Sequence, residues 1–590
     1  MICKLSEEAQ ELVGKSELVI ITERVDDVAL LLGQMMKMGL AEVLDRHIPR
    51  HWKQRGLSWG WTAVIWLAYI LSEGDHRKVS VEVYIEGMKN TLSRLSGQSL
   101  EALDFSDDRL EHLLKHLSNR KYWQGIEQEL NERSIEVYDL PQEVIRCDAT
   151  TVSGYHEVSE GGLMQFGHSK DDPSRGQIKV MSGSLDPLGM PLATDVLSGE
   201  RADDGLYIPL IDRIHAGLNQ EGLLFVGDCK MSALETRAHL VGQEHFYLCP
   251  LPLTGTTAQE MQAWVNQGLD KDRAGELSLI FRQNDRAEEV LVAGGYEFER
   301  CCCQGDEPWT ERVLVVRSPL HAEQQVAGLE KRLANAEKKI GALTPPRGRG
   351  KRQISEEAKL REAIDKVLKE QRVEGLLCIQ YEKQLERKTQ YIGRGRGSAN
   401  REKQVIKQIR YQITDIARQQ ERIDSLKDRF GWKAFVTNAT QERLSLQAAL
   451  LCYRNEYRVE RIFQRLKSRL NIAPLFVKRD DQIEGLTYLL TLGVRVLTLM
   501  EFVLQRSLQQ EKAELPGLHP ENHKKTTSKP TAERILKAFS GMSLTILKNA
   551  AGEEIVRWLT PLSALQQEIL KRLALDTSLY QQLEIQDIRN

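Results

Sequence analysis

Along the first 140 residues the apolar positions recur at helical intervals, as in VALLLGQMMKMGLAEVLDRHI and WGWTAVIWLAYILSEGD. That spacing predicts a helical N-terminal domain over residues 1–140, each helix burying one stripe. In SLEALDFSDDRLEHLLKHLSNRKYW, Ser106 leads Asp107 and Asp108 into a first turn, while Lys115, His116, Arg120 and Lys121 gather near the end. Those charges suit the two poles of a helix. Basic residues scattered over short helices fit a DNA-binding head, and fit an ordinary packing domain nearly as well.

From residue 141 the period shortens. VIRCDATTVS, GQIKVMSGSL and MPLATDVLS read as three strands, the last two joined through the turn Asp186-Pro187-Leu188-Gly189. A helix over about 205–216, the strand LLFVGD, a helix through MSALETRAHLV and the strand HFYLCPL follow, up to residue 250. Three antiparallel-type strands followed by alternating helix and strand is the order of a ribonuclease-H-like core. The expected fold class is therefore α/β, with that core split between 141–250 and 435–510. Fold alone licenses no function, which has to rest on a site.

Residues 251–434 interrupt the core. Strand patterns in LSLIFR, EVLVAGGYEFER and ERVLVVRS give way near residue 320 to charged stretches with heptad spacing. Val326, Leu329, Leu333, Ala336, Ile340 and Leu343 make one seam; Ile406, Ile409, Ile413, Ile416, Ile423 and Phe430 make another, with Gln420 the polar exception. Two seams predict an antiparallel helical arm. Its turns, TPPRGRGKR and GRGRGSANREK, hold Arg347, Arg349, Arg394 and Arg396, which either touch a DNA backbone or solvate exposed loops. GRGRG lacks both the strand-then-helix setting and the GxxxxGK[ST] arrangement, which disfavours a nucleotide loop.

After the arm come a strand, WKAFVTNAT, and a helix from about Gln441 to Leu470. The apolar run from Gly485 to Arg506 has the length of a membrane span, but it contains Arg495 and Glu501 and is flanked by Glu484. Such charges are costly at bilayer depth, so a buried core helix is expected. Residues 511–590 read as a linker, EKAELPGLHPENHKKTTSKP, and a C-terminal helical segment from Ala532 that forms a packed bundle or a dimerisation surface.

At 590 residues the chain exceeds what one core supports, and two to four domains are expected. With 81 Lys and Arg against 84 Asp and Glu, the net charge of -3 leaves no global footprint for nucleic acid, so any such surface must be local. The nine cysteines show no CxxC pair and no Cys/His ligand spacing, and no secretory leader opens the chain; reduced thiols in a cytosolic protein are expected. Cys301, Cys302 and Cys303 are consecutive, and consecutive side chains on a strand point to opposite faces.

Three carboxylates stand out. Asp148 in VIRCDATTVS and Asp228 in LLFVGD each close a predicted strand, and Glu460 lies in the helical run CYRNEYRVERIFQRLKSRL. Carboxylates far apart in sequence and close in space are what two divalent cations over one phosphodiester require, because hard oxygen ligands suit Mg2+. On a continuous helix Tyr453, Glu456, Glu460 and Lys467, at offsets 0, 3, 7 and 14, share one face. Lys467 is then placed for a phosphate, and Tyr453 for a base, a phosphate or the core. His168, Lys170 and Asp171 in FGHSKDD read as an ordered loop or a DNA approach, Asp186 as a turn residue, and Asp203 and Asp204 as helix-start acids.

These phrases together resemble the DDE transposases of bacterial insertion sequences, in the group with a Tyr-x2-Arg-x3-Glu-x6-Lys signature and an insertion between the second aspartate and the glutamate. The resemblance runs through IPRHWKQRGLSWGWTAVIWLAYILSEGDHR, DATT, FGHSKDD, VGDCKM, FVTNAT and RVERIFQRLKSRLNIAPLFVKRDDQIEGLTYL. It implies that Asp148, Asp228 and Glu460 are the catalytic, metal-binding carboxylates, holding two Mg2+ ions that Mn2+ can replace. Tyr453 and Lys467 match the ends of the signature; Glu456 stands at its arginine position, so the phosphate contact implied there falls to Arg454 or Arg458, neither of which lies on the same face, or is lost. The implied activity is cleavage and transfer of double-stranded DNA at the element's terminal inverted repeats. A homodimer in the active complex, no nucleotide cofactor, no membrane and a cytoplasmic, nucleoid-associated setting go with it. Two alternatives remain: an end-binding protein that has lost catalysis, and a metal-dependent nuclease that joins nothing.

Overall fold

The structure is a computed structural model that describes residues 18–584 except 53–54, 168–171, 285–287, 347, 349–352, 393–402, 456 and 523. The chain forms two compact units, one comprising Met1–Cys249, Cys303–Trp309 and Cys452–Asn590, the other Pro250–Cys302 and Thr310–Leu451. Its strands, in chain order, are β1 (Val19–Arg24), β2 (Val144–Ser153), β3 (Gln177–Leu185), β4 (Met190–Ser198), β5 (Leu224–Gly227) and β6 (Phe246–Pro250). There follow β7 (Ser278–Gln283), β8 (Glu289–Gln304), β9 (Glu307–Arg317), β10 (Leu377–Tyr391), β11 (Lys403–Arg418) and β12 (Trp432–Thr437). The last are β13 (Leu515–Pro516), β14 (Thr526–Thr527), β15 (Ser543–Lys548) and β16 (Glu554–Leu559).

In the first unit five strands lie in the order β4-β3-β2-β5-β6. β2, β3 and β4 run antiparallel to their neighbours, whereas β2, β5 and β6 run parallel. Parallel neighbours need crossovers, and the helices Tyr207–Leu218 and Leu234–Gly242 supply them. Every residue of β3 is buried, as a strand covered on both faces must be. Gly183 on β3 makes room for the helix above it, since a Cβ there would lie 2.3 Å from Ile214 Cδ1.

The helix Asp480–Gln510 is long and apolar enough to cross a membrane, and most of it is buried inside this unit. It packs against the helices Val28–Lys37, Trp59–Glu73 and Asp107–Leu117 and against β4. Gly485 permits the closest approach, because a Cβ would stand 2.1 Å from the Leu114 carbonyl oxygen. Arg495 is buried and paired through Nη2, which donates to Asn131 Oδ1 and to the Pro191 carbonyl, both at 2.7 Å, while its Nε has no partner among the described residues. That pairing is what lets a guanidinium sit in an apolar helix.

Two expectations are corrected. The terminal regions are not wholly helical: β1, β15 and β16 form an antiparallel sheet in that order. VIITER, SLTILK and EIVRWL carry branched side chains in short runs, which favours strand, and their partner lies more than 500 residues away at Val19↔Lys548, beyond the reach of local periodicity.

The second correction concerns the arm in the other unit. The helices Pro319–Leu343, Glu357–Gln371 and Gln420–Asp428 form, and the first seam is buried at Leu329, Leu333, Ala336 and Ile340. The second seam is not a helix; Lys403–Arg418 is β11, paired antiparallel with β10. Ile409 and Ile413 alternate at a period of two around Tyr411, and the register slips where Gln380↔Asp415 gives way to Tyr381↔Ile413. The extra residue, Thr414, brings Ile416 back to the face of Ile413, so a bulged strand imitates heptad spacing. In the same unit β12, β9, β8 and β7 are neighbours in that order.

Candidate active site

Asp148 and Asp228 come together through the parallel pairing of β2 and β5. The last register pair is Cys147↔Gly227, and the aspartates are the next residue in each chain segment, where the two strands run about 4.8 Å apart. Asp148 is inside β2 rather than at its end, since β2 continues to Ser153 paired with β3. β5 stops at Gly227, where a Cβ would lie 2.7 Å from Met231 Sδ and 3.3 Å from the Cys147 carbonyl. Glycine therefore allows the chain to turn sharply against β2 and present Asp228. The turn is held by Lys230 N–H, which donates to Asp228 Oδ1 at 2.8 Å, the local bond that aspartate forms readily.

A second donor fixes the same oxygen. The Tyr207 hydroxyl donates to Asp228 Oδ1 at 2.7 Å. Burial pushes the Tyr207 phenol far above its ordinary range, and the charges of Asp228 and Asp148 push it further, so it stays a donor. One buried phenol thus senses both carboxylates. Sequence reading passed over Tyr207, although it opens the buried stripe Tyr207, Leu210, Ile211 and Ile214 of its helix. The two flanking thiols remain protonated as well: burial and then Asp148 raise Cys147, and burial and then Asp228 raise Cys229. The carboxylates of Asp148 and Asp228 offer hard oxygen donors, the type that suits Mg2+.

Glu460 lies exposed on the helix Tyr457–Gln464, and that helix packs against β2. Among the described residues, no group of three or more His, Cys, Asp or Glu side chains is close enough to hold a metal ion. The backbones at Asp148 and Asp228 follow the last paired residues of β2 and β5, and the helix carrying the third acid packs against β2.

The single helix expected over 441–470 is in fact divided. One segment ends at Arg454, the next begins at Tyr457, and Arg465–Arg469 is π-helical. The offsets that put Tyr453 and Lys467 on one face therefore do not hold, because an interruption and a wide turn each change the phase. Tyr453, Arg454 and Lys467 are half-buried. Glu456 and the side chain of Arg458 lie outside the described residues, as do Arg347, Arg349, Arg394, Arg396, His168, Lys170 and Asp171.

Neighbouring charges position the divided helix. Arg461 and Arg465 both pair with Glu501, Arg461 at 2.6 Å, and Arg465 also reaches Glu533 at 3.2 Å. On β2, buried Arg146 donates to Asp186 Oδ2 at 3.0 Å and to the Cys452 carbonyl at 2.7 Å. Asp186 is thus an ion-pair partner as well as a turn residue. Asp203 pairs with Lys179 at 2.5 Å and Asp204 with Lys230 at 3.4 Å, and the side chain of Asp203 makes no capping bond to the short turn Asp204–Leu206.

No protein-family model and no curated protein matches this chain. Among solved structures it is similar to a cryo-EM structure of a piggyBac transposase synaptic complex with hairpin DNA, with a TM-score of 0.33 and 7% identity over 87% of this chain and 79% of that one. A likeness that weak transfers no chemistry from one protein to the other.

Proposed function

We propose that this chain is a DNA transposase that binds the terminal inverted repeats of its own insertion sequence and catalyses Mg2+-dependent strand cleavage and strand transfer. The observation that carries the reading is that the parallel pairing of β2 and β5 ends at Cys147↔Gly227, immediately before Asp148 and Asp228. Antiparallel β4, β3 and β2 followed by parallel β5 and β6 support reading this sheet as a ribonuclease-H-like core, and the helix bearing Glu460 lies against β2.

In this reading Asp148, Asp228 and Glu460 hold the cations, which supply activation of the attacking oxygen and stabilisation of the leaving one when bound. Tyr207 and the Lys230 amide fix the Asp228 carboxylate through one oxygen. Arg461 and Arg465 tether the Glu460 helix. Water attacks the phosphodiester at the element's end and frees a 3'-hydroxyl, which then attacks target DNA. The first step hydrolyses one phosphodiester to a 5'-phosphate and the 3'-hydroxyl, and the second exchanges one phosphodiester of the target for another, so neither a covalent protein intermediate nor ATP is required. Two element ends must meet, which fits a homodimer in the active complex.

The test is cleavage of DNA carrying the inverted repeats that flank the gene, by the full chain with Mg2+. Asp148→Ala, Asp228→Ala and Glu460→Ala are expected to abolish nicking and joining while leaving end binding in place. A second reading, an end-binding protein without catalysis, is favoured by the exposed position of Glu460 and the lack of a three-carboxylate group among the described residues. Stable end binding with no cleavage in Mg2+ or Mn2+ would establish that one instead.

A further inference from the structure

Asp228 takes its bonds from Tyr207 and the Lys230 amide, whereas Asp148 meets its candidate supports inside the sheet. Ala149 N–H donates to Asp148 Oδ1 at 2.8 Å. Across the ladder Asp148 stands opposite Ser182 on β3, and Ser182 stands opposite Thr194 on β4. Residues directly opposite on antiparallel strands share a face, with Cβ atoms about 4.5–5.5 Å apart. One row across three strands therefore reads carboxylate, hydroxyl, hydroxyl.

Both hydroxyls are sealed from water. Ser182 and Thr194 are each 1% exposed, and among the described residues neither Ser182 Oγ nor Thr194 Oγ1 has a hydrogen-bond partner. A buried hydroxyl without a partner is unfavourable, and Ile178 and Val180 fill the same face of β3 with apolar side chains. The other hydroxyl on that face, Ser184, donates to the Arg146 carbonyl at 3.4 Å. The far end of the row is anchored, because Thr194 N–H donates to buried Glu127 Oε1 at 2.9 Å. A carboxylate has about four acceptor sites, so Asp148 can take a bond from Ser182 as well as from Ala149. Rotation about one bond swings the Ser182 hydroxyl towards it, and Ser182 then accepts from Thr194, a cross-strand pairing natural to these side chains.

We infer that Ser182 is a positioning residue for Asp148: its hydroxyl donates to the carboxylate when a divalent cation is held there, and Thr194 donates to Ser182 behind it. This deepens the proposed function and rests on it for the role of Asp148 as a cation ligand. The experiment titrates the full chain with Mn2+, followed by electron paramagnetic resonance, and measures urea unfolding of the same variants without metal. Ser182→Ala is expected to weaken Mn2+ binding about tenfold, the lower end of what a ligand's supporting bond contributes. Its metal-free unfolding is expected to match the wild type, because the hydroxyl has no bond to lose there. Ser182→Thr keeps the hydroxyl and is expected to restore binding, while Thr194→Val weakens it less than Ser182→Ala does. Unchanged affinity in Ser182→Ala or in Thr194→Val overturns the part assigned to that hydroxyl. A Ser182→Ala chain that loses metal-free stability along with affinity also overturns the inference, since that is the behaviour of a packing residue.

The two readings fail separately. A wild-type chain whose Mn2+ binding depends on Asp148 and Ser182, but which cuts no inverted-repeat DNA, removes the transposase assignment alone. A Ser182→Ala chain that binds Mn2+ and cuts like the wild type removes the positioning role alone. A wild type that binds no Mn2+ through Asp148 overturns both.

Discussion

β3 and the outer half of β11 are built from similar side chains and meet opposite fates. β3 is sealed at every position, while Val405 and Ile409 on β11 face solvent. Strand propensity therefore says that a segment extends; the elements that cover it decide what it does. The covered sheet gives a rigid frame in which Asp148 lies within β2 and Asp228 follows the end of β5. The outer half of the ribbon leaves Leu385, Val405 and Ile409 exposed.

The contrast breaks first in the packed region. Gly485→Ala puts a methyl against the Leu114 backbone and is expected to cost about 3 kcal/mol in denaturant unfolding, with little change tolerated as an equal cost elsewhere. Tyr207→Phe removes one of the two donors to Asp228; cleavage or Mg2+ affinity is expected to fall about 10-fold to 100-fold, the usual effect of losing a carboxylate's orienting partner, with thermal stability nearly constant. Loss of fold in place of activity would make Tyr207 merely a core residue.

A smaller effect is expected from pH. Burial, followed by the nearby His215 and His239, lowers the His245 imidazole to about 4. Leu223 N–H donates to its Nδ1 at 3.3 Å and its Nε2 meets His215 Nδ1 at 2.9 Å, which fixes a neutral tautomer. The unfolded chain binds that proton more readily, so the stability it contributes is complete above about 6.5 and is lost as pH falls towards 4. His245→Gln should flatten unfolding free energy across that window; an unchanged slope would show that other groups set it. The smallest effect is reserved for the ribbon: Leu385→Ser should shift unfolding by less than about 0.5 kcal/mol, as exposed substitutions do, and a larger loss would mean that the face is already covered.

The sequence was most legible where neighbours in the chain are neighbours in the sheet. The runs VIRCDATTVS, GQIKVMSGSL and MPLATDVLS lie at β2, β3 and β4, and the long apolar run is a buried helix because its internal charges find partners. It was least legible where a partner is distant or a phase slips. Nothing near VIITER announces SLTILK as its mate, and a bulge at Thr414 gave β11 the spacing of a helix. Of the candidate site, the acidic residues were visible as residue types; Asp228 does follow a strand end, whereas Asp148 lies inside β2, which runs on to Ser153. Tyr207 was hidden among apolar neighbours, and the face shared by Tyr453 and Lys467 depended on a helix that is interrupted after Arg454.

The most direct test of the central claim is Mn2+ binding to the full chain, followed by electron paramagnetic resonance, in the wild type and in Asp148→Asn, Asp228→Asn and Glu460→Gln. Asp148→Asn and Asp228→Asn are each expected to abolish specific binding, and Glu460→Gln to weaken it. Wild-type Mn2+ affinity in either aspartate variant would contradict the account.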